Sequence, residues 1–165
     1  MTPAQQTALT AELKNDPLAR GYAALLSPYN ESGLLTLLNA PNYSLVGAVP
    51  RSTFAGWAAA TGLRAIVQDA SANAVSPLRS SALAILDMLR GASDSLDLSA
   101  SSVGTANQQM LGAWVTAGAI TAAQEAQLVS LATAPASRVQ VLGIGPVSRE
   151  DVTGTVFNAV GTKVI

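Results

Sequence analysis

Eight prolines punctuate this 165-residue chain, and they limit how far any helix or strand can run before it must stop or turn. Proline lacks an N–H and clashes with the preceding turn, so a helix accepts it in its first turn and rejects it further in; the residue before it is also pushed out of the α region. Thr2-Pro3 and Ser76-Pro77 therefore read as a cap followed by a first turn, and Pro50 as a helix start. Pro17, Pro28 and Pro41 stand among Asn, Asp and Ser residues and read as stops, and Pro135 forbids continuation of the helix before it. The chain is thus read as a series of short helices.

Apolar residues between these marks repeat at helical spacing. A first helix is expected over residues 3–14, a second over 18–26, and a brief turn capped by Ser32 through Leu34, Leu35, Leu37 and Leu38. Residues 43–50 have weak extended character. Phe54, Trp57 and Ala58 follow Pro50, Gly62 interrupts, and Leu63, Ile66, Val67 and Ala70 resume the stripe. Leu78, Ala82, Ile85, Leu86 and Leu89 form the next stripe, with Gly91 as a left-handed stop. Residues 92–102 read as a loop, and Met110, Leu111, Trp114 and Val115 mark a helix over 103–117. Thr121 and Gln124 fit a capping box opening a helix that carries Leu128 and Leu131. Residues 103–133 should then form a helical hairpin, with Trp114, Val115 and Ile120 facing Leu128 and Leu131.

The expected fold is all-α in the main: a compact multi-helix domain over 1–152, at least half the residues helical, and no sheet of more than two strands. In the last stretch, helix-compatible Val152, Val156, Ala159 and Val160 stand among strand-like Thr-Gly-Thr-Val-Phe and Gly-Thr-Lys-Val-Ile. A short helix with a partly extended C-terminal tail is expected over residues 153–165, docking on its own domain or on a neighbour.

Composition removes whole classes of chemistry. With no cysteine there is no disulfide, thiolate metal site or cysteine nucleophile, and with no histidine neither a Ser-His-Asp triad nor the usual general base near pH 7 can be built. Nine cations and ten anions are scattered without a Lys/Arg run, which argues against nucleic-acid binding. No apolar stretch reaches the roughly 20 residues of a membrane span, and the N-terminus lacks the pattern of a signal peptide. Charged residues make up only 12%, about half the ordinary share of roughly 25%, so the surface should be poorly solvated unless covered by neighbours.

The candidate sites are few. Asp94 and Asp97 in a Ser-rich loop could offer oxygens to calcium or magnesium, but their spacing fits no EF-hand and a solvated loop explains them. Gly143-Ile-Gly145-Pro146 precedes a helix as a phosphate-binding loop does, yet no Gly-Lys-Ser/Thr follows, and a helix stop plus a turn account for it. Glu150 and Asp151 suit the first turn of a helix opened by Ser148, where acids complement the helix dipole. Arg20 and Tyr22 beside the Asn15-Asp16-Pro17 turn either hold that turn through Asp16 or belong to an interface, where both residue types are enriched. In the apolar terminal stretch Val156, Phe157, Val160, Val164 and Ile165 are the further interface candidates. No catalytic, metal or cofactor residue is assigned, and the chain is not expected to be an enzyme.

Asn15-Asp-Pro-Leu-Ala-Arg-Gly-Tyr22 followed by Leu38-Asn39-Ala40, then Thr133-Ala-Pro-Ala-Ser-Arg138, then Val141-Leu-Gly-Ile-Gly-Pro-Val-Ser-Arg-Glu-Asp-Val152, together resemble a family of small Ala-rich proteins encoded among the virion genes of tailed bacteriophages. The order and spacing resemble that family from end to end, while the middle of the chain varies among its members. Departures fall at Val139-Gln140-Val141, where acids are usual, and at Thr153-Gly-Thr-Val-Phe157 in place of an Ala-rich helix. The resemblance implies a structural virion component, made in the bacterial host cytoplasm, whose partners are copies of itself and other virion proteins. A head–tail connector, neck or tail position is expected, with a capsid-surface decoration protein as the alternative. From a different class, a free helical regulatory or binding protein, or a metal-dependent hydrolase using Asp94 or Asp97, is the competing reading.

Overall fold

The computed structural model describes residues 1–157 and 161–165, and it is 61% helix and 10% strand. In chain order the elements are α1 (Pro3–Asn15), α2 (Tyr22–Leu26), α3 (Glu31–Asn39), β1 (Tyr43–Val46), β2 (Ala48–Pro50), α4 (Arg51–Ala60), α5 (Leu63–Ala72) and α6 (Arg79–Asp87). A π-helical turn, Met88–Ala92, continues α6; β3 (Ser95–Asp97), α7 (Ser102–Thr116), α8 (Ala122–Ala132), β4 (Thr133–Ala136), α9 (Arg138–Val141) and α10 (Arg149–Val156) complete the order. The protein is therefore mainly helical, and among the described residues its strands form two-stranded sheets, β1 with β4 and β2 with β3.

The elements fall into two compact units. Residues 1–44 and 135–165 make one; residues 45–134, inserted between them in sequence, make the other.

In the discontinuous unit, α1, α2, α3, α9 and α10 surround a core that includes Leu9, Leu13, Leu26, Leu34, Leu38, Val139, Val152 and Val156. Helix starts here are written in side-chain hydrogen bonds. Thr2, Ser137 and Ser148 each accept the N3 amide while Gln5, Gln140 and Asp151 reach back to the cap's own N–H. α3 opens at Asn30, whose side-chain oxygen accepts the Gly33 N–H at 2.9 Å, rather than at Ser32 as expected. α2 begins at Tyr22 and not near residue 18, because the backbone amides of residues 20–22 are bound to Asp16 instead of to a helix.

α10 ends at Val156, and the terminal segment then folds back. Phe157 and Lys163 form an antiparallel bridge, and the Val164 N–H donates to the Val156 carbonyl at 2.8 Å. The Lys163 ammonium donates to the Leu26 carbonyl at 2.6 Å, and Phe157 meets Tyr29 edge-on, centroids 4.6 Å apart.

In the continuous unit, β2 and β3 pair antiparallel with Val49 opposite Leu96, so the stretch 92–102 expected as a loop contains a strand. Its partner, residues 48–50, supplies the extended character anticipated for 43–50. α4 brings Phe54 and Trp57 inward, rings stacked at 5.7 Å, and α5 and α6 add Leu63, Val67, Ala82 and Ile85. α6 starts at Arg79; Ser76-Pro77 forms a preceding turn in which Ser76 Oγ accepts the Leu78 N–H.

Ser101 caps α7, and Gly104 on its first turn lies so close to the Ser99 backbone that no Cβ would fit. Trp114 is wholly buried and donates its indole N–H to Ser81 Oγ at 3.0 Å. The predicted capping box opens α8: the Gln124 N–H reaches Thr121 Oγ1 at 3.2 Å, and the Thr121 N–H reaches Gln124 Oε1 at 2.7 Å. Ile120 and Leu128 are buried with Trp114, whereas Leu131, expected to face them, is 45% exposed.

Candidate functional site

The densest polar cluster in the discontinuous unit is built around a buried acid that sequence reasoning did not single out. Glu12 shares the inner face of α1 with Leu9 and Leu13 and is only 3% exposed. A carboxylate there costs several kcal/mol in desolvation unless a cation and hydrogen bonds meet it. Arg138, the first residue of α9, meets it with both prongs of its guanidinium: Nε to Oε1 at 2.8 Å and NH2 to Oε2 at 2.7 Å. Glu12 holds Arg138 above the ordinary arginine range, first through this hydrogen bonding, against the opposing effect of burial.

Two tyrosines complete the surroundings. Tyr22 is wholly buried, and its phenol donates to Glu12 Oε1 at 3.4 Å. Burial first, and the neighbouring Glu12 charge second, push the Tyr22 hydroxyl up to about 12. Tyr43 lies under two guanidinium groups, Arg20 at 5.3 Å and Arg138 at 5.9 Å from its ring centroid. Its own hydroxyl is buried without a hydrogen-bond partner among the described residues.

The loop that brings Arg20 and Tyr22 to the cluster is held by one carboxylate. Asp16 accepts the backbone N–H groups of Arg20 at 2.6 Å, Gly21 at 2.7 Å and Tyr22 at 3.2 Å. Desolvation works against its charge, but these three donors and the Arg20 guanidinium outweigh it and hold the Asp16 carboxyl below the usual range. The same carboxylate fixes a tight path in which Asp16 and Ala19 both take left-handed backbone angles, φ 41° and 51°. Of the two roles weighed for Arg20 and Tyr22, turn support is the one seen, but through their backbone amides and not their side chains.

The remaining quoted segments close onto this same unit. Asn39 acts as a backbone mimic, donating to the Val147 carbonyl at 3.1 Å and accepting the Val147 N–H at 3.2 Å. Gln5 donates to the Ile144 carbonyl at 3.1 Å. Gly143 and Gly145 have positive φ and serve the turn after α9, where the Ile144 N–H returns to the Val139 carbonyl at 2.9 Å. Asp151 is consumed by the Ser148 cap, whose hydroxyl and amide hold its carboxyl below the usual range.

The interface candidates separate by burial. Tyr22 and Val156 are wholly buried, so neither offers a surface to a partner: both supply core to the unit that contains them. Phe157 and Ile165 are half-buried against the same core, Arg20 is half-buried above Tyr43, and Val164 is 53% exposed. Val160 lies outside the described residues.

Of the two acids of the Ser-rich stretch, in the continuous unit, Asp97 is spent locally. Asp97 accepts Ser101 Oγ at 2.6 Å and the Ser99 N–H at 2.8 Å, which hold it below the usual carboxylate range and brace the start of α7. Asp94 joins the fold through its backbone, whose carbonyl accepts the Arg51 N–H at 2.9 Å, while its side chain lines a surface hollow beside Arg51. Among the described residues no group of three or more acidic side chains converges as a metal site would require. No helix among them is long and apolar enough to cross a membrane.

No protein-family model, no curated protein and no solved structure matches the chain.

Proposed function

We propose that the protein is a non-enzymatic structural subunit of a tailed-bacteriophage virion, placed in the head–tail connector, the neck or the tail. It is made in the host cytoplasm and works through contacts with copies of itself and with other virion proteins. The observation that carries this reading is the use made of the segments that resemble virion-gene products. Asp16, Asn39, Arg138 and the stretch from Val141 to Val152 all serve to hold one unit of the fold, through the bonds Asp16 makes to residues 20–22, the Asn39–Val147 exchange and the Glu12–Arg138 pair. Motif residues spent on rigidity suit a part whose task is to present a fixed surface. Exposed apolar residues such as Val75 (88%) and Val103 (60%) on a charge-poor chain support a surface that is covered on assembly.

The test is quantitative mass spectrometry of purified particles, with labelled antibody to locate the protein by electron microscopy. A fixed copy number per particle and label at the head–tail junction or tail are expected. Label spread over the capsid would assign it as a decoration protein, and its absence from particles while abundant in infected cells would refute the reading.

A further inference from the structure

Three of the four arginines of the continuous unit border a single groove. Two adjoining hollows share Ala55 and Leu89 and follow one face of α4 from Pro50 to Ala58. Their floor is apolar and low, since Ala55 and Ala58 raise only methyl groups beside Leu86 and Leu89. Arg64 and Gln68 of α5 line one hollow together with Arg90, and Arg51 lines the other.

The cations are not neutralised in place. Arg51 and Arg64 form no ion pair among the described residues, and Arg90 has only an open contact of 3.7 Å with Asp87, both side chains more than half exposed. Exposed pairs of that kind contribute little. The Arg51 guanidinium instead rests on the bare backbone of Gly91, where a Cβ would stand 2.7 Å from its NH1. That contact seats Arg51 at the edge of the groove before any partner arrives.

We propose that this groove binds a short segment of another protein in which carboxylates flank an aliphatic side chain. Charge complementarity selects the acid, since planar guanidinium groups grip carboxylates in pairs of parallel bonds. The floor selects the aliphatic neighbour. The hollow between Arg64 and Arg90, about 180 Å³, has room for one anchoring side chain, and the adjoining hollow beside Arg51, about 330 Å³, lets the segment run on along α4. A nucleic-acid strand fits poorly, because the groove has no aromatic residue on which bases could stack, and Asp94 in its lining together with Asp87 beside Arg90 would repel a continuous polyanion. The assignment does not depend on the virion reading, for it rests on the groove alone.

The experiment pans a displayed random-peptide library against the full-length protein and against R64E/R90E, with R64K/R90K as the charge-conserving control. Circular dichroism checks that the variants keep the fold, which exposed positions should allow. Wild-type protein should enrich peptides with Asp or Glu beside Leu, Ile or Val. A selected peptide, titrated by fluorescence polarisation, should bind R64E/R90E at least about tenfold more weakly and R64K/R90K with an intermediate loss. Enrichment of basic or uncharged peptides, no enrichment at all, or equal binding by the charge-reversed variant would overturn the proposal. So would single-stranded oligonucleotide binding that R64E/R90E abolishes while no peptide is enriched, or self-association by sedimentation that the same variant abolishes.

Discussion

Arg138→Met removes a cation from Glu12 and leaves the acid's setting otherwise intact, so it measures what the buried pair does. Two charge-assisted bonds of 2.8 and 2.7 Å are lost, and the carboxylate keeps only the Tyr22 phenol at 3.4 Å. Glu12 is 2% exposed in its side chain and cannot turn to water, so the expected loss is the roughly 3–5 kcal/mol of an orphaned buried charge. For a chain of this length that corresponds to a fall in Tm of about 6–20 °C, at about 2–4 °C per kcal/mol. Replacing both partners, Glu12→Leu with Arg138→Met, removes the orphan. The double variant should recover most of the loss, what remains being about 1–3 kcal/mol for the buried Tyr22 hydroxyl left without its acceptor. Thermal and urea unfolding followed by circular dichroism measure both variants. A single variant within about 1 kcal/mol of wild type, or a double variant as unstable as the single, would show that the pair does not hold the unit in this way.

Tyr22, raised to about 12, should ionise well above the ordinary tyrosine value of 10, and because the unfolded chain releases that proton first, stability should fall as pH rises from 10 to 12. The phenolate absorbance missing from Tyr22→Phe gives the midpoint, and a value near 10 would contradict the buried placement. Asp16 runs the other way: its lowered carboxyl contributes stability above the unfolded value near 3.8, lost as pH falls through the folded one. Asp16→Asn should flatten the acid limb of the stability curve, and an unchanged limb would count against the three amide bonds. Thr121→Ala should cost about 1 kcal/mol as a lost cap, read from the unfolding midpoint. Gly104→Ala should cost about 1–3 kcal/mol, since the added methyl meets the Ser99 backbone and not a movable side chain.

Local chemistry was the part of the fold most legible in the sequence. Thr121-Ala-Ala-Gln124 announces a helix start because both halves of the capping box lie within four residues, and the Trp57 and Trp114 stripes announce core because helical spacing alone places them. Less legible are the elements set by a partner elsewhere in the chain. Asp16 captures amides up to six residues on and delays α2 to Tyr22, and Ser95–Asp97 becomes strand only because Ala48–Pro50 is there to pair with it. Glu12 had a readable signal: an acid between Leu9 and Leu13 on the apolar face of α1 calls for a cation. The identity of that cation was not readable, because Arg138 lies 126 residues away.

That separation also bears on how the protein folds. The inserted unit, residues 45–134, intervenes between the partners of the Glu12–Arg138 pair and of the Asn39–Val147 exchange. Completing the core of the discontinuous unit therefore means closing a long loop, and the entropic cost of that closure is smallest when the insert is already compact. The inserted unit has a continuous chain, a core of its own around Trp114 and Phe54, and no need of the flanking segments for its β2–β3 pairing. It should form first. Pulse-labelling hydrogen exchange during refolding should accordingly protect amides of α5 and α7 before those of α1 and α10. The reverse order would mean that the Glu12–Arg138 pair forms across an unfolded insert, and that the loop-entropy argument does not govern this chain.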